Sequence, residues 1–80
     1  MQTFSITLGS IADVKVFVDV SSRYSCEIDV LSGRYVIDAK SIMGLFSLDL
    51  QKPLRVDFYG SDEESASFRQ DIAPFVSPEN

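Results

Sequence analysis

Eighty residues, 45% of them hydrophobic, describe one small globular domain over 1–80. A chain of this size buries only roughly 60–65% of the surface its unfolded form exposes, so its stability margin is thin. Twelve acidic against seven basic residues leave a net charge of −5, which repels a phosphate backbone and argues against direct nucleic-acid binding. No run approaches the ~20 apolar residues of a membrane span, and the N-terminus carries neither the basic nor the apolar stretch of a secretory signal. One cysteine, Cys26, rules out an internal disulfide. Together these features make the cytoplasm the expected compartment.

The first element is a strand, since Thr3 to Leu8 alternates polar and apolar side chains up to Gly9. Ser10-Ile11-Ala12-Asp13 fits a capping box, the serine oxygen taking a free amide and the acid three residues on reaching back. Behind it the spacing of Val14, Phe17, Val18 and Ser21 predicts a helix from about Val14 to Arg23, although Val16 and Val20 are β-branched and weaken it. Cys26, Ile28 and Val30 alternate with acids, and Tyr35, Ile37 and Ala39 resume the period after Ser32-Gly33, which gives a hairpin with one wet face. Ser41 opens a short helical segment. Leu54, Val56 and Phe58 form a further strand ended by Gly60. Ser61-Asp62-Glu63-Glu64 is a second capping box, and Phe68, Ile72 and Phe75 continue a helix over about Asp62–Ala73 that Pro74 and Pro78 stop or kink. The order β-α-β-β-α-β-α predicts an α+β fold, a two-layer open-faced sandwich in which three helices cover the apolar face of one sheet.

The run Lys40-Ser41-Ile42-Met43-Gly44-Leu45-Phe46-Ser47-Leu48 resembles the second signature of the HPr phosphocarrier family, in which a lysine and a phosphorylatable serine open a short apolar helix. Gly60-Ser61-Asp62-Glu63-Glu64 resembles that family's junction between the last strand and last helix. The resemblance covers nearly the whole chain and implies a four-stranded antiparallel sheet and a place in the bacterial sugar phosphotransferase system. It fails at the first signature, Gly-Ile-His-Ala-Arg-Pro-Ala in active members. Counting back from Ser41 without a gap places that histidine at Ser10 and the arginine at Ala12, and the chain has no histidine anywhere. A serine ester is far more stable than the labile N–P bond, and the arginine that would neutralise the phosphate is missing. The chain is therefore identified as a histidine-less member resembling the Crh type, not an enzyme, acting by serine phosphorylation and protein binding. By resemblance its partners are an HPr-type serine kinase/phosphorylase and a transcriptional regulator of carbon use. A carrier using a residue other than histidine, and a paralogue keeping only the fold, are the alternatives.

Within this frame Ser41 is the expected regulatory phosphorylation site, and on local chemistry alone it is a helix cap worth ~1 kcal/mol. At about 100° per residue, Leu48, Leu45, Ile42, Phe46 and Met43 sweep roughly 220° of a two-turn helix, more than the ~100° stripe a sheet face covers. If Leu45 and Leu48 turn inward, Ile42, Met43 and Phe46 remain at least partly exposed as a contiguous partner-binding patch beside Lys40. If the segment is not fully helical, all five fold inward. Cys26 reads as a buried structural thiol, and the acids Asp62, Glu63 and Glu64 as dipole partners. Neither a metal nor a cofactor is expected.

Overall fold

Side chains that alternate along the four strands share one face, and that face carries the core. A computed structural model of the chain describes residues 1–77. Its elements are β1 (Gln2–Ile6), α1 (Ile11–Ser22), β2 (Ile28–Ser32), β3 (Tyr35–Asp38), α2 (Ile42–Phe46), β4 (Leu54–Phe58) and α3 (Asp62–Asp71), followed by a 3₁₀ turn at Ala73–Phe75. The strands form one antiparallel sheet in the order β1-β4-β2-β3. This is the α+β arrangement of four strands and three helices expected from the pattern.

Ile6, Ile28, Val30, Leu54, Val56 and Phe58 supply the sheet side of the core. Val14 and Phe17 of α1, Leu45 of α2 and Phe68 of α3 close over it, all fully buried. The rings of Phe58 and Phe68 stack at 4.8 Å, with Phe17 edge-on to Phe68 at 6.2 Å. Such aromatic pairs add about 0.5–1.5 kcal/mol beyond the area they bury. The hairpin turns through Gly33, whose φ of 58° is open to glycine without penalty. After the 3₁₀ turn, Thr7 N donates to Phe75 O at 2.8 Å and Ser77 N to Ser5 O at 2.7 Å, so the chain's return covers the outer edge of β1.

Several boundaries differ from the sequence expectation, each for a local reason. Helix α1 starts at Ile11, not Val14, because Ser10 caps it directly: Asp13 N donates to Ser10 Oγ at 3.1 Å. Asp13 does reach back, but its carboxylate accepts from Gly9 N at 3.0 Å, not from the Ser10 amide. The β-branched Val16 and Val20 do not break this helix, since Val20 packs into the core beside Val14 and Phe17. Strand β1 ends at Ile6, two residues before Leu8, although Leu8 is itself buried. Cys26 lies ahead of β2 and is half-buried against the core. Tyr35 is not inside; at the far end of the edge strand it is 67% exposed. Helix α3 stops at Asp71, and Pro74 is taken into the 3₁₀ turn, a position where its missing N–H costs little. The second capping box is as expected, with Glu64 N donating to Ser61 Oγ and Ser61 N to Glu64 Oε1. Pro78 lies outside the described residues.

The open face of the sheet is mainly polar, with Leu31 and Val36 as apolar members beside Arg55. Registration lines up Thr3, Asp57, Asp29 and Asp38 in one row across all four strands. Asp57 is buried there and satisfied: it accepts from Arg55 Nε at 2.9 Å and from Arg55 Nη2 at 3.2 Å, and from Thr3 Oγ1 at 3.0 Å. The Arg55 fork holds its carboxyl below the usual range, against the opposing pull of burial. Asp29 has no such partner among the described residues, and burial, with Glu27, Asp38 and Asp57 around it, pushes its pKa up. A carboxyl raised in the folded state withdraws stability at pH values above its unfolded pKa and returns it as pH falls. Asp29→Asn is therefore expected to raise the melting temperature at pH 7 by about 2–4 °C. That gain should disappear below the ordinary aspartate value of 3.8. Thermal unfolding of both proteins from pH 7 to 3 checks this, and an unchanged or lower melting temperature at pH 7 would refute it.

Candidate functional site

Helix α2 is only five residues long, and its position depends on its two ends and on Gly44. Ser41 caps it: Gly44 N donates to Ser41 Oγ at 3.1 Å, while Leu45 N donates to Ser41 O at 3.0 Å. Ser41 N in turn donates to Asp38 O at 2.9 Å, which ties the cap to the end of β3. A Cβ added at Gly44 would stand 2.6 Å from Ile37 Cγ2 and 3.0 Å from Ser41 Oγ. Glycine is thus the residue that lets this short helix lie directly on β3, and it keeps the cap hydroxyl in place.

Of the five apolar side chains in this segment, Leu45 is fully buried and Leu48 nearly so. Met43 is 77% exposed and Phe46 40% exposed. Ile42 falls between, half-buried and packed against the core, so Met43 and Phe46 carry most of the open surface. Lys40 is also half-buried. Its ammonium donates to Cys26 O at 2.9 Å, and its amide donates to Asp38 Oδ1, so the side chain joins the β3–α2 corner to the segment before β2. Burial, reinforced by Glu64, raises the Cys26 thiol's pKa, which keeps it protonated and unreactive.

Helices α1 and α2 pack together. At the start of α1, Ser10 and Ala12 are exposed, as is Ile11 at 64%. A groove of about 460 Å³ runs from Thr7–Ile11 to Leu50 and Gln51, on the loop that follows α2. The structure therefore gathers the Ser10 corner and the loop after α2 around one groove, which Ser41, Met43 and Phe46 do not line. Ile11 was missed as a surface residue because the helix was expected to begin at Val14. The signal was present, since a serine cap at position 10 makes Ile11 the first helical residue, where side chains commonly point to solvent.

The Ser10 corner is poorly suited to an anion. Its serine oxygen already accepts one first-turn amide, and the Asp13 carboxylate accepts the Gly9 amide. A second negative group would meet that carboxylate. Among the described residues no group of three or more histidine, cysteine, aspartate or glutamate side chains is placed to hold a metal ion. No described helix is long and apolar enough to cross a membrane.

This two-layer fold with its serine-capped short helix belongs to a known class of phosphotransfer-system proteins, as comparison of the sequence shows. The family described as "PTS HPr component phosphorylation site" matches residues 13–76. The chain belongs to the HPr family. Among solved structures it is similar to HPr-C-His from Thermoanaerobacter tengcongensis, at 26% identity and a TM-score of 0.73, covering 92% of this chain and 89% of that one. It is also similar to the phosphocarrier protein HPr from Bacillus anthracis str. Ames, at 23% identity and a TM-score of 0.66, covering 95% and 96%. The histidine-containing phosphocarrier protein of a mycoplasma shares the fold at 17% identity, with a TM-score of 0.70 and coverage of 91% and 93%. No curated protein matches the chain.

Proposed function

We propose that this HPr-family chain is a cytoplasmic binding or adaptor protein set by phosphorylation at Ser41, and that it does not carry phosphate on histidine. The observation behind this reading is a contrast between the two signature segments. The chain holds no histidine, and Ser10 and Ala12 stand where the family's histidine and arginine are expected. The second signature, by contrast, keeps its serine cap and presents Met43 and Phe46 to solvent. Large flexible or aromatic side chains of this kind suit protein docking.

In this reading Met43 and Phe46 are the anchors of the partner surface, with Ile42 supporting them from its half-buried position. Lys40 contributes by fixing the corner on which Ser41 sits. The partners are those the family implies, a serine kinase/phosphorylase of the HPr type and a regulator of carbon-use transcription, and the chain is not itself an enzyme. A labile phosphohistidine relay needs an imidazole nitrogen to accept and release the phosphoryl group, and a cation to hold it. Ser10 offers neither, with Asp13 beside it.

Incubation with phosphoenolpyruvate and the general phosphotransfer enzyme of the system is therefore expected to leave no acid-labile phosphate on the chain. Intact mass before and after mild acid treatment reads this directly. Stoichiometric labelling would instead favour a carrier that uses another residue.

A further inference from the structure

The cations of this acidic chain are unevenly placed. Of its seven lysines and arginines, three line one cleft: Arg34, Lys52 and Arg55. The cleft is about 690 Å³ and opens between the β2–β3 hairpin, the end of α2 and the approach to β4. Asp49 is the single carboxylate in its lining and Asp57 holds Arg55 from outside it, so a surplus of one positive charge remains at the wall within a molecule of net charge −5.

How far these cations are already engaged decides whether the surplus is available. Arg55 gives Nε and Nη2 to Asp57, which leaves its other terminal nitrogen unassigned. Lys52 lies 4.0 Å from Asp49 with its side chain 77% exposed, a loose contact worth little in water. Arg34 is exposed and forms no ion pair among the described residues. Leu31, Leu48 and Pro53 give the cleft apolar wall, and Ser32 and Tyr35 add hydroxyls at its hairpin side. Pockets of this volume hold small organic ligands, oriented by a few polar groups on a largely apolar lining. A cleft lined by one sign of charge also concentrates counter-ions.

We propose that this cleft binds a small phosphate monoester, with Arg34 and Lys52 as its principal ligands and Arg55 in support. Arg34, which has no ion pair among the described residues, and the loosely held Lys52 can turn two cations toward a phosphate dianion, approaching its acceptor oxygens from the hairpin and from the α2–β4 loop. The cleft shares no lining residue with the groove at Ser10, and neither Ser41 nor Met43 contributes to it. The cleft is therefore separate from the proposed docking surface.

The test is an amide chemical-shift titration of the full chain with glycerol 3-phosphate at low salt, with succinate as a carboxylate probe of equal charge. Saturable shifts confined to 31–35 and 47–55 are expected, with weaker binding of succinate. Arg34→Gln and Lys52→Gln, both at exposed positions, should each weaken binding about fivefold. Arg69→Gln, on α3, should leave it unchanged. Non-saturating shifts spread over all basic residues would overturn the proposal. So would equal binding of succinate, or affinity unaffected by Arg34→Gln and Lys52→Gln. Tighter binding of a hexaglutamate peptide at the same residues would assign the cleft to an acidic protein segment and overturn the small-molecule assignment.

Discussion

Leu45→Asp is expected to unfold the protein at room temperature, whereas Phe46→Asp, one position along the same helix, is expected to leave it folded. Leu45 has no exposed surface and sits in the same core as Phe17, Phe58 and Phe68. Removing a buried leucine costs about 2–5 kcal/mol, and an unpaired carboxyl in its place adds a desolvation penalty of several more. A domain of 80 residues has a total margin of roughly 4–12 kcal/mol, so the sum reaches or exceeds it. Phe46 keeps 40% of its surface in water, so an aspartate there reaches solvent without being trapped. Its expected cost is about 1 kcal/mol, near the centre of ordinary substitutions. Ile42→Asp should fall between the two, because Ile42 is half-buried against the core. Circular dichroism and urea unfolding of the three variants measure this order. Equal destabilisation by Leu45→Asp and Phe46→Asp would mean that α2 is wholly core and that no docking patch exists.

The ordering also shows what the sequence could and could not convey. Strand parity was legible, since a period of two needs no tertiary information: Ile6, Ile28, Val30, Leu54, Val56 and Phe58 all face inward as their alternation requires. The capping serines were legible for the same reason, being local chemistry. Lateral position was not. Tyr35 and Ile37 share a parity, yet Tyr35 lies at the hairpin end of an edge strand, beyond the cover of the helices. The depth to which α2 settles on the sheet was not legible either. A helical wheel assigns directions but not how closely a helix approaches its sheet, and Gly44 lets α2 sit near enough to β3 for Ile42 to be drawn halfway in. Lys40 shows a further limit. Its neighbour in sequence is Ser41, but its ammonium bonds to the carbonyl of Cys26, fourteen residues away, a pairing that only the folded corner creates. The open-face row of Asp57, Asp29 and Asp38 likewise depends on strand order, which alternation alone does not reveal.

An ATP-dependent kinase of the HPr type is expected to add one phosphate to this chain, at Ser41, and Ser41→Ala is expected to abolish the addition. The hydroxyl oxygen would take the γ-phosphoryl group of ATP and lose its proton, leaving ADP. Among the described residues that hydroxyl is engaged only as the acceptor for Gly44 N at 3.1 Å, so its proton stays free to be removed. The product carries about −1.5 to −2 charges at pH 7 and keeps oxygens able to accept the same amide, so the cap need not be lost. Lys40 cannot swing onto the phosphate without giving up Cys26 O, so partial loosening of that corner is the expected structural cost. The new charge would stand at the head of the helix that presents Met43 and Phe46, favouring partners rimmed with arginine and repelling acidic ones. Removing the cap by Ser41→Ala should itself cost about 1 kcal/mol, a drop of several degrees in melting temperature that leaves the protein folded. Loss of labelling in that variant would then report the missing hydroxyl, because the fold persists. Ser47 provides the internal control: it is exposed in the same segment, with its hydroxyl turned back to Gly44 O. Intact mass and peptide mapping after kinase treatment decide between them, and no added phosphate, or phosphate on Ser47 with Ser41 unmodified, would reduce Ser41 to a helix cap.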